Sequence, residues 1–185
     1  MANTKSVKKT PDAEGAVVAE EAIVETTTKS TPAKKIIPKD IDPHQTVVVK
    51  NGFQGKLIYK SSKTGERFVW DEFGDEQDME LVELRNAKGA HKDFFINNWF
   101  MFDEPWVVEY LGMSRYYKNA VNIEDFDSLF KKDPTELEDI LNGMSDGQKK
   151  SVGYRARILI REKKIDSLMI IDVIEKCLGI ELIEK

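Results

Sequence analysis

Few side chains in this chain are of the kinds that do covalent chemistry, and those few are scattered. Cys177 is the one cysteine, and His44 and His91 are the two histidines, of 185 residues. A thiolate nucleophile needs a base or cation beside it. No histidine is near Cys177 in sequence, and its neighbourhood of Ile, Val and Leu reads it as a small hydrophobe. His91, beside Lys92 and Asp93, reads as an exposed residue at a helix start. One cysteine and two histidines offer no zinc-ligand spacing. Residues 71–83 carry seven acids and no base, which invites a cation site or a contact with a basic partner. A calcium loop sets acids at alternate positions around a glycine and closes with a glutamate. This stretch lacks that order and reads instead as an acidic, solvated turn. The glycines are scattered singly, so none builds a phosphate cradle. The expectation is a protein with no catalytic, cofactor-binding or metal site, and not an enzyme.

Binding chemistry has more candidates. Lys149, Lys150, Arg155, Arg157, Arg161, Lys163 and Lys164 crowd one helical stretch. Of these, Lys149, Arg155, Arg157 and Arg161 are the candidate nucleic-acid contacts, made to the phosphate backbone. A helix-turn-helix reader would also need polar side chains on the next helix, which offers isoleucine and leucine. The alternative is a solvated helix face with its usual charges. The net charge of −5 gives the whole molecule no field that gathers polyanions, so such a role would need a local patch. Tyr116-Tyr117, between Arg115 and Lys118, suits a protein anchor or a stacking platform. With Ile36, Ile37, Ile170 and Ile174 they make up the candidate partner interface.

These residues need elements to position them, and the aromatic distribution marks out where a core can form. The nine Phe, five Tyr and three Trp all lie between Phe53 and Tyr154, most of them between Phe94 and Phe130. Residues 1–42 are rich in Lys, Thr, Ala, Glu, Ser, Val and Pro, with acids and bases nearly balanced. They predict a flexible polar arm, disordered alone or ordered along a partner. The apolar run Ala16-Val17-Val18-Ala19 is too short for a secretory signal, and no window approaches the roughly twenty apolar residues of a membrane span. A single cysteine excludes an intramolecular disulfide and suits a reducing cytosol. With 41% hydrophobic and 33% charged residues, the remaining roughly 140 residues read as soluble and globular, one domain or two subdomains sharing a core.

The predicted fold class is α+β. Residues 43–85 read as a small antiparallel β-meander. Its strands fall near 46–50, 56–60, 67–70 and 78–81, with Asn51-Gly52 as a tight turn and Trp70 on the face that packs on helices. Residues 86–132 read as an aromatic-rich helical segment. There Phe95, Trp99 and Phe102 share a face, and Asp103 caps a helix over 104–111 that Gly112 closes. Residues 133–185 read as a three-helix module. Asp133-Pro134-Thr135-Glu136 and Ser145-Asp146-Gly147-Gln148 are capping-box starts, Asp166 caps the third helix, and Gly179 stops it. That third helix, with Leu168, Met169, Ile170, Ile171, Val173, Ile174, Cys177 and Leu178, is apolar over most of its circumference. It must be central in its bundle or covered by another chain.

The chain resembles small proteins of tailed bacteriophages, virion or assembly components among them. The likeness is carried over 46–182 by a polar Lys/Thr/Ala leader, by Gly55-Lys56-Leu57-Ile58-Tyr59 and Thr64-Gly65-Glu66-Arg67-Phe68-Val69-Trp70, by Val108-Glu109-Tyr110-Leu111-Gly112 with Tyr116-Tyr117, and by the ending Leu178-Gly179-Ile180-Glu181-Leu182. It implies a structural part found in the virion or the host cytoplasm, and it implies no site residue. The functional expectation is a structural or interaction protein that docks on protein subunits, or on itself, through its arm and its apolar last helix. The alternative is a nucleic-acid-binding accessory protein that uses the basic middle helix.

Overall fold

The structure, a computed structural model, describes Pro38 and residues 40–183. Most of the arm expected over 1–42, with Ile36 and Ile37, lies outside the described residues. The fold is α+β. Five strands are found among the described residues: β1 Thr46–Asn51, β2 Leu57–Lys60, β3 Arg67–Trp70, β4 Glu76–Glu80 and β5 Phe100–Met101. The strands lie close to where their alternation predicts them, but they do not form one meander. They pair as two sheets, β4-β1-β5 and β2-β3, all antiparallel.

The reason lies at Asn51-Gly52. The two-residue hairpin turn that Asn-Gly favours needs positive φ at both positions, and neither residue has it. Asn51 is instead fully buried and acts as a loop lock. Its amide donates to the carbonyls of Gly55 and Glu72, each at 2.8 Å, and its Oδ1 accepts from the Phe53 amide at 2.8 Å. Gly52 passes so close to Asn98 that a β-carbon there would overlap the Asn98 carbonyl oxygen. β1 therefore runs on past β2 to pair with β4 (Thr46↔Glu80, Lys50↔Glu76) and β5 (Asn51↔Phe100). Trp70 joins the two sheets. It is fully buried, its indole N–H donates to the Val49 carbonyl at 2.9 Å, and its ring lies 5.4 Å from Phe100.

The helices are α1 Leu81–Ala90, α2 Asp93–Ile96, α3 Pro105–Tyr110, α4 Ser114–Tyr117, α5 Pro134–Gly143, α6 Asp146–Arg161 and α7 Leu168–Leu178, with a 3-10 segment at Phe126–Lys131. Helix α1 begins inside the stretch expected to be a solvated acidic turn. Leu81, Leu84 and Ala87 form its buried stripe, and Glu83 is buried with them. The expected face of Phe95, Trp99 and Phe102 does not exist as one helix. Asn98 takes φ 54°, which ends α2, and Phe100 then enters a strand. Phe95, Phe100 and Phe102 nonetheless converge in the core that the sheets share with α1 and α3. Asp103 does not cap α3. Glu104 occupies that position, its carboxylate accepting from the Trp106 indole and not from a backbone amide of the helix, and Asp103 pairs with Lys50 at 2.8 Å.

The last three helices start close to where their caps predict. Asp133 accepts from the Thr135 amide at 2.9 Å, and Ser145 accepts from the Gln148 amide at 3.2 Å. The start of α7 differs, with Ser167 rather than Asp166 at its N-cap. Gly179, at φ 64°, stops that helix. The second core gathers Leu137, Leu141, Val152, Ala156, Ile171 and Ile174 with Phe126, Leu129 and Phe130. The two cores meet along a polar seam. A β-carbon on Gly147 would lie 2.8 Å from the Asn97 Cα, Ser151 donates to the Gly52 carbonyl at 3.0 Å, and Gln148 exchanges two hydrogen bonds with the Val121 backbone.

Candidate interaction surface on the C-terminal helices

Helix α6 fixes the orientation of the basic residues. With 100° between successive residues, Val152, Ala156 and Leu159 form its buried stripe, and Tyr154 stands almost opposite them. Lys150, Tyr154, Arg157 and Arg161 are all exposed on that outward side, and Lys149 is half-buried at its edge. Arg155 falls on the far flank. It holds Asp127 through two bonds, Nε to Oδ1 at 2.7 Å and Nη2 to Oδ2 at 2.5 Å. The Arg155 guanidinium keeps the Asp127 carboxyl below its ordinary value, and Asp127 in turn raises Arg155. The four candidate nucleic-acid contacts therefore divide. Lys149, Arg157 and Arg161 share one side with Lys150, while Arg155 is paired within the protein and does not belong with them.

A cleft of about 490 Å³ opens between α6 and the end of α7. Lys149, Lys150 and Arg157 supply its cations, Asp146 its one acid, and Tyr154 one wall. Its apolar floor is Cys177, Leu178 and Ile180. The floor can sit so close to α6 because Gly153 has no side chain. A β-carbon there would lie 2.7 Å from Ile180 and 2.9 Å from Leu178. Arg157 steadies the segment by donating to the Glu181 carbonyl at 3.1 Å, and Glu175 accepts from the Leu182 amide at 2.7 Å. Burial raises the Cys177 thiol above its ordinary pKa, with Glu138 adding to the effect. Both effects disfavour the thiolate, and the side chain packs as part of the floor. A second cleft, of about 430 Å³, lies on the other side of Tyr154 and contains Gln54, Phe73, Ile123, Arg155 and the acids Glu72, Glu124 and Asp127. Tyr154, 56% exposed, lines both clefts.

The other expected contacts fall elsewhere. Ile170 and Ile174 are 5% and 0% exposed, covered by the protein's own helices, and are core rather than interface. The outward apolar residues of α7 are Leu168 and Met169 in its first turn, each 66% exposed. Further along, that side carries Asp172 and Lys176, both exposed. Tyr117 braces the β core. Its hydroxyl donates to the Phe100 carbonyl at 2.6 Å, and burial raises its pKa. Tyr116 lies 4.4 Å under the Arg115 guanidinium, which lowers its hydroxyl pKa, and 5.7 Å from the Lys92 ammonium.

Groups with chemical potential are held in structural roles. The Tyr59 hydroxyl, deep in the β core, donates to Glu83 at 2.5 Å, and burial with the Glu83 bond raises its pKa so that it stays a donor. The Lys50 ammonium sits among Asp103 at 2.8 Å, Glu124 at 2.9 Å and Glu76 at 3.4 Å. The bond to Asp103 is the first cause of its raised pKa. His44 is exposed and bonds Glu80 at 2.8 Å. His91 lies 3.4 Å from the Ser62 hydroxyl. Among the described residues, no group of three or more His, Cys, Asp or Glu is placed to hold a metal ion, and no helix is long and apolar enough to cross a membrane.

The exposed residues Tyr154, Leu168 and Met169 are not among the interface candidates read from the sequence. The signal for Tyr154 was present. It is four residues after Lys150, three before Arg157, and opposite the Val152/Ala156 stripe. Compared with protein-family models, with curated proteins and with solved structures, the chain matches none.

Proposed function

We propose that this protein is a non-enzymatic structural or interaction protein that docks on partner subunits through the outward side of its C-terminal helices. The observation that carries this reading is Tyr154, an exposed aromatic standing between two clefts, with cations on one side of it and mostly acids on the other. Tyrosine supplies large, rigid contact area together with a polar tip, and such residues anchor protein interfaces. Leu168 and Met169 add exposed apolar area on the same helical module. A place among virion or assembly components of tailed bacteriophages rests on the resemblance of the sequence alone. The experiment is binding of anilinonaphthalene sulfonate, a probe with both an apolar body and an anionic group. The isolated protein is expected to enhance its fluorescence, and Tyr154→Ser to reduce the enhancement. A dye-silent protein would count against the reading.

A second reading, a nucleic-acid-binding accessory protein, is favoured by one observation. Lys149, Lys150, Arg157 and Arg161 surround an exposed aromatic, the combination that binds backbone and base on single strands. It predicts binding of DNA or RNA at low salt that is lost when Lys149, Arg157 and Arg161 become alanine, and that is indifferent to Arg155. No mobility shift at low salt would remove it.

A further inference from the structure

We infer that the cleft between α6 and the end of α7 is a docking site for a partner-protein segment that combines carboxylates with an apolar side chain. The inference rests on the interaction reading above and names the chemistry of the partner. Lys149, Lys150 and Arg157 line the cleft with one acid, Asp146, which precedes the two lysines by three and four residues on α6, so the lining is net positive in a chain of net charge −5. Such a local reversal of sign attracts an anionic group to this place and not to the rest of the surface. Among the described residues Lys149 and Lys150 form no ion pair, which leaves their ammonium groups for a ligand. Arg157 spends one N–H on the Glu181 carbonyl, which orients its guanidinium at the rim.

The cavity below the charges decides the class of ligand. Its volume of about 490 Å³ lies in the range of pockets that bury a small apolar body, and its floor of Leu178, Ile180 and Cys177 is largely apolar. A short segment with an apolar side chain makes use of that floor. It sets one leucine-like side chain on the floor against Tyr154 and two carboxylates on the lysines. Gly153 is the specific provision for this shape, because only a residue without a side chain lets the floor close on α6.

The test is fluorescence anisotropy of the full chain with a rhodamine-labelled peptide of alternating glutamate and leucine. Saturable, salt-sensitive binding is expected. The double change Lys149→Glu with Lys150→Glu should weaken it about tenfold, and Arg161→Glu, outside the cleft, less than about twofold. A peptide with serine for leucine should also bind about tenfold more weakly, since the floor then goes unused. Tyr154→Ser provides a second variant, with the same direction of effect. Three results would overturn the inference: no saturable binding, equal binding of the serine peptide, or a labelled oligothymidylate that binds more tightly and loses affinity in the same double variant. If the peptide fails while the dye still responds to Tyr154→Ser, this cleft is removed and the broader interaction reading stands.

Discussion

At the scale of single residues, the strongest interactions here serve the fold. The Tyr59 hydroxyl and the Glu83 carboxylate are both buried and satisfy each other, with Asn86 donating to the second Glu83 oxygen at 3.3 Å. Tyr59→Phe removes the donor to one oxygen of this buried carboxylate. It should cost about 1–3 kcal/mol in urea unfolding, with the sheet spectra unchanged. An unaltered unfolding midpoint would show that water reaches the carboxylate. His44 carries a smaller, pH-dependent contribution. Its hydrogen bond to Glu80, with the charge of that carboxylate, raises its pKa above the ordinary 6.5. A group whose folded pKa is raised contributes fully below its unfolded value and loses that contribution as pH rises through the folded value. Stability should therefore fall slightly as pH rises from below 6.5 through the raised value, and His44→Gln should abolish that slope. The effect is small because the His44 side chain is largely exposed.

At the scale of elements, the local signals worked where an element is built from its own residues. Asp133 and Ser145 cap α5 and α6, and Gly179 ends α7, because each acts within one turn of its own helix. The signals failed where another part of the chain supplies the partner. The first amides of α1, those of Leu81 and Val82, donate to the carbonyls of Gln45 and Pro43 at 3.0 and 2.8 Å. No local pattern near Glu80 announces that start. β4 has Met79 as its one buried side chain, and pairing with β1 holds it as a strand. The third helix reads as apolar over most of its circumference, central in its bundle or covered by another chain, and the fold itself covers Ile170, Ile171 and Ile174. Two substitutions test that division. Ile174→Ala should cost about 2–5 kcal/mol, as for other filled core sites. Leu168→Ser should stay within about 0.5 kcal/mol. Comparable losses at both positions in urea unfolding would show that the first turn of α7 is also packed. The shared outward side of Lys149, Arg157 and Arg161 follows from charge and helical period. Arg155 was misplaced because Asp127, its partner, is 28 residues away.

At the scale of the whole molecule, the β core and the helical core meet on buried polar groups and close backbone approaches. Helix α6 forms one side of the seam. Gly147 lies against Asn97, and Ser151 reaches the Gly52 carbonyl, 99 residues away in sequence. Gly147→Ala would favour the helix by about 1 kcal/mol on propensity alone. The new methyl must displace the Asn97 backbone, however, and the net expectation is a loss of about 1–3 kcal/mol in urea unfolding. A gain in stability would show that the seam is loose. Because α6 is clamped on this inner side, its outward side is held rigidly, as a docking surface requires. Sedimentation velocity of the isolated chain over a range of concentrations tests the central claim most directly, read beside dye binding. The account predicts self-association or dye uptake that Tyr154→Ser, combined with Leu168→Ser and Met169→Ser, reduces without loss of fold. A wild-type protein that sediments as a monomer at every concentration and takes up no dye would contradict it.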